Sequence, residues 1–100
     1  MNDYLLLMHD DAPDREQAES GEQWGSYLAV LRASGNFDGG SSIGPGMLFR
    51  KGLATLVVKG KLSGYLRIRA RSLEEASGFL AGNPVFEAGG TVEVRELVKD

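Results

Sequence analysis

The sequence predicts an α+β fold, with one antiparallel β-sheet and two helices packed on one of its faces. Four segments have the composition or the alternation of strands, and two segments combine a helix-start signal with helical spacing of apolar residues. The chain has 100 residues, which is enough for one compact domain but not for two. We therefore expect residues 1–100 to form a single domain.

The first strand is expected at residues 4–8, an unbroken apolar run that is typical of a strand covered on both faces. Residues 12–20 are polar and contain Pro13, which indicates a connection. Ser20 and Gln23 then fit a capping box. Apolar residues follow at the spacing of one helical face, namely Trp24, Tyr27, Leu28 and Leu31. Gly35 predicts the end of this helix.

The middle of the chain contains further strand patterns. Residues 36–46 are rich in glycine and include Pro45, so we expect a loop or an irregular edge strand there. Residues 53–59 favour a strand that enters a turn at Gly60. Residues 64–70 alternate, which predicts a strand with one apolar face (Leu66, Ile68, Ala70) and one polar face (Tyr65, Arg67, Arg69).

A second helix is expected after Ser72, which forms a capping box with Glu75. The segment Gly82-Asn83-Pro84 predicts its end, and residues 91–98 form the last strand. This order of elements matches a ferredoxin-like split βαβ sheet. We expect one core that contains Trp24, Leu28, Leu31, Leu66, Ile68, Phe79, Val92 and Val94. The polar side chains of Arg67, Arg69, Glu93 and Arg95 should point away from the helices.

Composition excludes several classes of function. Fourteen acidic and eleven basic residues give a net charge of -3, which argues against a nucleic-acid partner. The chain has no cysteine, so disulfides, thiolate catalysis and cysteine-ligated metals are excluded. No segment has the length of a signal-peptide core or a membrane span. We expect a soluble, cytoplasmic protein with no cofactor, no metal and no membrane partner.

Several segments resemble the DGPF branch of the YCII-related family. They are residues 4–8, Gly64-Tyr65, residues 72–76, and above all residues 83–86 and 89–95, which read Asn-Pro-Val-Phe and Gly-Gly-Thr-Val-Glu-Val-Arg. The resemblance covers most of the chain. It implies a ferredoxin-like fold that pairs into a dimeric α/β barrel, so the expected partner is a second copy.

Two departures from the family pattern bear on activity. Residues 56–61 stand where the branch has its Asp-Gly-Pro-Phe segment, and they contain no Asp, Pro or Phe. The resemblance also implies a His on the first helix facing an Asp before the last strand, and here Trp24 and Asn83 occupy those places. Neither side chain titrates near neutral pH, so the family's acid–base pair is absent.

The remaining candidates leave alternatives open. Gly40–Gly44 matches Gly-x-Ser-x-Gly, but Pro45 follows where a helix should leave and the only His lies upstream, so we reject a nucleophile elbow. His9, with Asp10 and Asp11, is a metal site, a proton relay or a solvated strand end. Trp24 is either core or the wall of a pocket that includes Asn83. The polar face with Arg67, Arg69, Glu93 and Arg95 either binds an anion or forms ordinary cross-strand ion pairs.

Two functions follow as hypotheses. The first is a non-catalytic or small-ligand-binding homodimer with a pocket near Trp24, Asn83 and the arginine-rich face. The second is an enzyme of the lyase or isomerase type that acts on a small anionic metabolite, with His9 and either Asp10 or Glu93 in place of the missing pair. A hydrogen bond between His9 and a buried carboxylate inside a cavity would favour the second hypothesis. Since residues 4–8 are apolar at every position, we expect the homodimer to assemble through the sheet.

Overall fold

The computed structural model describes residues 1–99 and confirms a mixed α+β fold with a four-stranded antiparallel sheet. In chain order the elements are β1 (Asn2–His9), α1 (Arg15–Ala18), α2 (Gly21–Ser34), β2 (Phe37–Ser42), β3 (Gly46–Leu48), β4 (Leu56–Val58), β5 (Leu62–Ala70), α3 (Leu73–Ser77), a 3₁₀ turn (Gly78–Leu80), α4 (Pro84–Glu87) and β6 (Val92–Leu97). The main sheet has the order β2-β5-β1-β6, which is compatible with a ferredoxin-like split βαβ arrangement.

The two predicted helix starts are present. The Ser20 hydroxyl accepts the N–H of Gln23 at 3.2 Å, and the Ser72 hydroxyl accepts that of Glu75 at 3.1 Å. The long helix α2 ends at Gly35, whose φ of 76° is the left-handed conformation that a glycine adopts easily. These local signals depend on a few neighbouring residues, which is why the sequence was sufficient to predict them.

The segment Asn83-Pro84 corrects one prediction, because it begins a helix instead of ending one. The Asn83 side chain accepts the N–H groups of Val85 and Phe86, and Pro84 occupies the first turn of α4, where its missing N–H costs nothing. The short helix α1 was also not expected. It begins at Asp14, which accepts the N–H of Gln17 at 3.0 Å.

The prediction of a strand at residues 53–59 was wrong in its extent, and the strand does not belong to the one antiparallel sheet that the sequence predicts. Only β4 is a strand there, and it pairs with β3 in a separate two-stranded sheet. The edge of the main sheet is β2, in the glycine-rich segment. A Cβ on Gly40 would lie 2.3 Å from the backbone oxygen of Tyr65, so the absence of a side chain lets β2 approach β5.

The predicted core is confirmed. Leu31, Leu66 and Ile68 are buried, and the other five predicted side chains are partly buried against them. The core also contains buried residues from β1, from the end of β5 and from the helices, namely Tyr4, Leu6, Met8, Tyr27, Ala70, Ala76 and Val85. Because these residues come from every helix except α1, the helices and one face of the sheet share a single apolar interior.

The opposite side of the sheet, which we call the open face, carries the polar alternation. Leu5 lies between Arg67 and Arg95 in the register, and Leu7 lies between Tyr65 and Glu93. The predicted orientation of Arg67, Arg69, Glu93 and Arg95 away from the helices is thus confirmed. In the part of the chain that the structure describes, no helix is long and apolar enough to cross a membrane.

Candidate functional site

The contact between His9 and Glu93 is the best-defined pairing of titratable side chains on the open face. His9 Nε2 lies 2.6 Å from Glu93 Oε1, although 84 positions separate the two residues in sequence. Their side chains are 31% and 36% exposed, so both are partly shielded from water and still accessible. An imidazole in contact with a carboxylate at this distance is a charge-assisted hydrogen bond.

Two features of the backbone bring these side chains together. A register shift between Met8 and His9 turns the end of β1, and the His9 N–H donates to the Thr91 carbonyl at 2.9 Å. Glu93 lies two residues further along, at the start of β6. The pair therefore depends on the register of two strands, which a bulge can set precisely.

Asp11 holds the same corner from the other side. Its carboxylate accepts the Thr91 N–H at 2.8 Å and the Thr91 hydroxyl at 2.6 Å. These hydrogen bonds lower the pKa of Asp11 below its ordinary value of 3.8 because they stabilise the charged form. The end of β1 is thus held against the start of β6 by hydrogen bonds to Thr91 from His9 and from Asp11.

His9 and Glu93 line a cavity of about 420 Å³, which we call the His9 cavity. Its other walls come from the segment after β2, from the ends of β3 and β4 that pair with each other, and from the turn that leads into β5. They are Ile43, Gly44, Gly46, Val58, Gly60, Lys61 and Leu62. Lys61 is the one cation among the lining residues. The cavity thus combines an imidazole, a carboxylate and an ammonium group on a largely apolar background, which is the usual composition of a small-molecule site.

The hydrogen bond determines which nitrogen of His9 can act as a base. An ionised carboxylate only accepts hydrogen bonds, so in the neutral imidazole Nε2 carries the proton and Nδ1 keeps its lone pair. Nδ1 has no hydrogen-bond partner among residues 1–99. The arrangement can accept a proton at Nδ1 while Glu93 stabilises the resulting imidazolium.

Asp10 does not share this role. Its carboxylate forms an ion pair with Arg15, which also contacts Glu19. Of the two carboxylates considered from the sequence as partners of His9, the structure brings Glu93 into contact.

A second cavity, of about 660 Å³, lies between α2 and the edge of the sheet, and we call it the Trp24 cavity. Besides Trp24 its walls include Leu28, Arg32, Phe37 and Leu66. The indole N–H donates to the Ala18 carbonyl at 2.8 Å, so the polar atom of Trp24 is already bonded within the protein. Trp24 is therefore partly core and partly a cavity wall.

Asn83 corrects the expected pairing with Trp24. It is fully buried, its side-chain oxygen caps α4, and it lines neither of the two cavities. Its Nδ2 has no hydrogen-bond partner among the described residues. Nearby, the Tyr27 hydroxyl donates to the Phe79 carbonyl at 2.6 Å, and burial raises the pKa of Tyr27. The Asn83 side chain therefore stabilises the start of α4 and does not face either cavity.

The arginines of the open face are paired with acidic side chains and lie outside both cavities. Arg69 binds Asp38 at 2.8 Å and the Gly35 carbonyl at 2.6 Å, which ties it to the edge of the sheet. Arg67 lies 3.8 Å from Asp3, and Arg95 lies 3.6 Å from Glu93. The structure therefore distributes these guanidinium groups along the face and does not gather them around one anion site.

Sequence reasoning missed two residues near His9, namely Lys61 in the cavity wall and Thr91 at the start of the last strand. Lys61 lies in a segment that was expected only to form a turn, and Thr91 was expected only to begin a strand. No short motif marks either residue, since each acquires its place from the pairing of strands that are distant in sequence.

The comparisons with known proteins support the fold and nothing beyond it. No family model matches the chain, and no curated protein matches it. Among solved structures, the chain is similar to 5-chloro-2-hydroxyhydroquinone dehydrochlorinase from Burkholderia phenoliruptrix, in complex with 2,5-dihydroxybenzoquinone. The identity is 17%, the match covers 98% of this chain and 95% of that chain, and the TM-score is 0.59. The chain therefore shares the fold of that protein.

Proposed function

We propose that this protein is an enzyme of the lyase or isomerase type that transfers a proton on a small anionic metabolite in the His9 cavity. The observation that carries the proposal is the 2.6 Å contact between His9 and Glu93 in the wall of a cavity. Function is assigned to the site and not to the fold, because one fold hosts many reactions.

In this mechanism His9 Nδ1 takes the proton of a ring hydroxyl group, and the ammonium group of Lys61 offsets the negative charge on that oxygen. Glu93 stabilises the imidazolium that His9 becomes. His9 then gives the proton to a ring carbon while the oxygen becomes a carbonyl oxygen, which is an isomerisation to the keto form. If that carbon carries chlorine, His9 takes the proton of a second hydroxyl group, a second C=O group forms, and the electron pair that shifts through the ring expels chloride, so the reaction is an elimination.

The structural neighbour supports the elimination branch and a substrate class. That protein is a dehydrochlorinase, and it was solved with a hydroxylated quinone. A small hydroxylated ring compound is of a size that suits a 420 Å³ cavity, and Lys61 provides the one complementary charge for its oxygens.

The proposal includes membership of the YCII-related family, in its DGPF branch. The motifs at residues 83–86 and 89–95 and the similarity of fold support it. The residues at the family's acid–base positions are Trp24 and Asn83, so the proposed reaction uses a different corner of the same fold.

The test uses 5-chloro-2-hydroxyhydroquinone as substrate and follows chloride release. We expect release above the uncatalysed rate with the wild-type chain, and loss of that release in His9→Gln and in Glu93→Gln. Asp10→Asn is the matched control, since its carboxylate is adjacent in sequence but bonded to Arg15. Wild-type activity equal to that of His9→Gln would contradict the proposal.

A second candidate is the non-catalytic hypothesis, in which the Trp24 cavity holds a small ligand. The larger volume and the presence of Arg32 at its wall favour it. The chain has one tryptophan, so indole fluorescence reports on this cavity alone. Quenching of Trp24 by 2,5-dihydroxybenzoquinone, with no chloride release from the chlorinated substrate, would favour this candidate.

We also propose that the chain is a homodimer that assembles through the open face. Leu5 and Leu7 are only half-buried there, and the neighbouring strands place polar side chains on either side of them. A two-fold contact would cover both copies of this strand and keep a charged rim, and such contacts bury about 1,200–2,000 Å² in total.

A further inference from the structure

The hairpin formed by β3 and β4 (residues 46–58, which we call the arm) is separate from the main sheet. Its two strands pair only with each other in the described structure, and the tip is closed by a bond of 3.0 Å from the Leu53 N–H to the Arg50 carbonyl. The Cα radius of gyration is 14.8 Å, whereas a compact domain of this length has about 13 Å. An isolated two-stranded hairpin is marginal in water, so the arm needs a surface to pack on.

Both faces of the arm are apolar and uncovered. Met47 stands opposite Val57 on one face, and Leu48 stands opposite Leu56 on the other. These four side chains are between 54% and 70% exposed. A contiguous apolar surface of this kind, outside the core of a small protein, marks a site of association.

One face of the arm continues into the His9 cavity. Gly46 and Val58 form the next pair on the same face as Leu48 and Leu56, and both line the cavity. A molecule that packs on Leu48 and Leu56 therefore also lies beside the mouth of the cavity.

The distribution of charge indicates which molecule this is. From Gly39 to Ser72 the chain has seven basic residues and no acidic one. Arg67 and Arg69 pair with Asp3 and Asp38 on the open face, and Arg50 and Lys51 lie at the arm tip. From Asp10 to Glu22 it has six acidic residues and a single basic one. The chain thus carries both halves of a complementary surface, which a two-fold axis can match twice in one contact.

We propose that the arm is a dimerisation element, and that a second copy of this chain packs on its Leu48–Leu56 face and closes the His9 cavity. The closure deepens the proposed function and rests on it, because a closed cavity excludes water from the His9–Glu93 pair. The arm extends the contact beyond the open face of the sheet, so the complete site exists only in the assembled pair.

The experiment measures mass and the reactivity of His9, and neither readout needs a substrate. Light scattering on a sizing column gives the mass, and acylation by diethyl pyrocarbonate reports on His9, the only histidine. We expect the wild type at twice the chain mass of 10.8 kDa. The double variant Leu48→Ser, Leu56→Ser should elute at the single mass, with His9 acylated about ten-fold faster or more.

Val30→Ser is the matched control, since Val30 is an apolar side chain 68% exposed on α2, away from the arm. It should keep the wild-type mass. Arg50→Glu with Lys51→Glu changes only exposed tip residues and should weaken the dimer about ten-fold or more while the circular dichroism spectrum stays unchanged.

Three results would overturn the inference. The first is a wild-type mass of 10.8 kDa, whether or not the monomer binds vesicles of anionic lipid. The second is a dimer that persists in both arm variants. The third is an arm variant that is monomeric but whose His9 is acylated at the wild-type rate. Each leaves the chloride-release test unaffected, so a failure here is distinguishable from a failure of the proposed reaction.

Discussion

The Trp24 cavity and the His9 cavity differ in volume, in chemistry and in their relation to the core. The Trp24 cavity is larger, but its tryptophan N–H is bonded to Ala18 and the carboxylate of its Glu19 is bonded to Arg15. The His9 cavity is smaller and contains a pair of groups that can move a proton. The difference teaches that the position of titratable groups, and not the volume of a cavity, selects the candidate site for chemistry.

The largest expected effect separates the two cavities by activity. His9→Gln should reduce turnover of the chlorinated substrate about 100-fold or more, because it removes the general base. Trp24→Phe should leave the turnover within about two-fold, since the indole does not take part in the proposed proton transfer. Steady-state chloride release measures both. A larger loss in Trp24→Phe than in His9→Gln would reverse the assignment of the two cavities.

The next effect separates them by stability. Leu66 lines the Trp24 cavity and is only 5% exposed, so Leu66→Ala should reduce the free energy of unfolding by about 2–5 kcal/mol. Ile43 lines the His9 cavity at the surface, and Ile43→Ala should cost less than about 1 kcal/mol. Urea unfolding checks both values. Equal costs would mean that the two cavities are equally part of the core.

The hydrogen bond of the buried Tyr27 hydroxyl tests the packing of the helices next to the Trp24 cavity. Tyr27→Phe removes the hydrogen bond to the Phe79 carbonyl and should destabilise the fold by about 0.5–1.5 kcal/mol near pH 7. Since burial raises the pKa of Tyr27 above 10.0, its contribution is complete below that pH and is lost as the pH rises through the folded-state pKa. The stability difference between wild type and variant should therefore shrink in strong alkali. A constant difference up to the unfolding pH would contradict this reason.

Asp11 tests the support beneath the His9 cavity, and its effect should be the smallest because the carboxylate is exposed. Its lowered pKa means that its stabilisation is present above about pH 4 and is lost as the pH falls through the folded-state pKa. Asp11→Asn should make the melting temperature less dependent on pH in the acid range. Identical acid profiles for wild type and Asp11→Asn would remove the proposed role of Asp11.

Prediction from the sequence succeeded where a structure depends on near neighbours. The helix start at Ser20, its end at Gly35 and the alternation around Ile68 are local patterns, and all three are present. The sequence does not distinguish an edge strand from a loop at β2, because a glycine-rich segment is typical of both. The close approach of β2 to β5 at Gly40 explains why a glycine is needed there. The pairing of β4 with β3 could not be predicted, because residues 53–59 have the composition of a strand and composition does not specify the strand that it pairs with.

The candidate site was only partly predictable for the same reason. His9 stands out as the single imidazole, and Glu93 could be placed on the open face by alternation. Their contact depends on the register shift after Met8 and on the pairing of β1 with β6, which are properties of the whole sheet. The position of Lys61 depends on the same long-range pairing, whereas the cap at Asn83 is local, since Asn followed by Pro84 is a helix-start signal.

Nitrogen NMR of the single histidine tests the central account most directly. The account predicts that neutral His9 is the Nε2–H tautomer, that Glu93→Gln weakens this preference, and that 2,5-dihydroxybenzoquinone shifts the Nδ1 resonance without quenching Trp24 fluorescence. A mixture of tautomers in the wild type that does not change in Glu93→Gln, together with quenching of Trp24, would contradict the account and place the ligand in the other cavity.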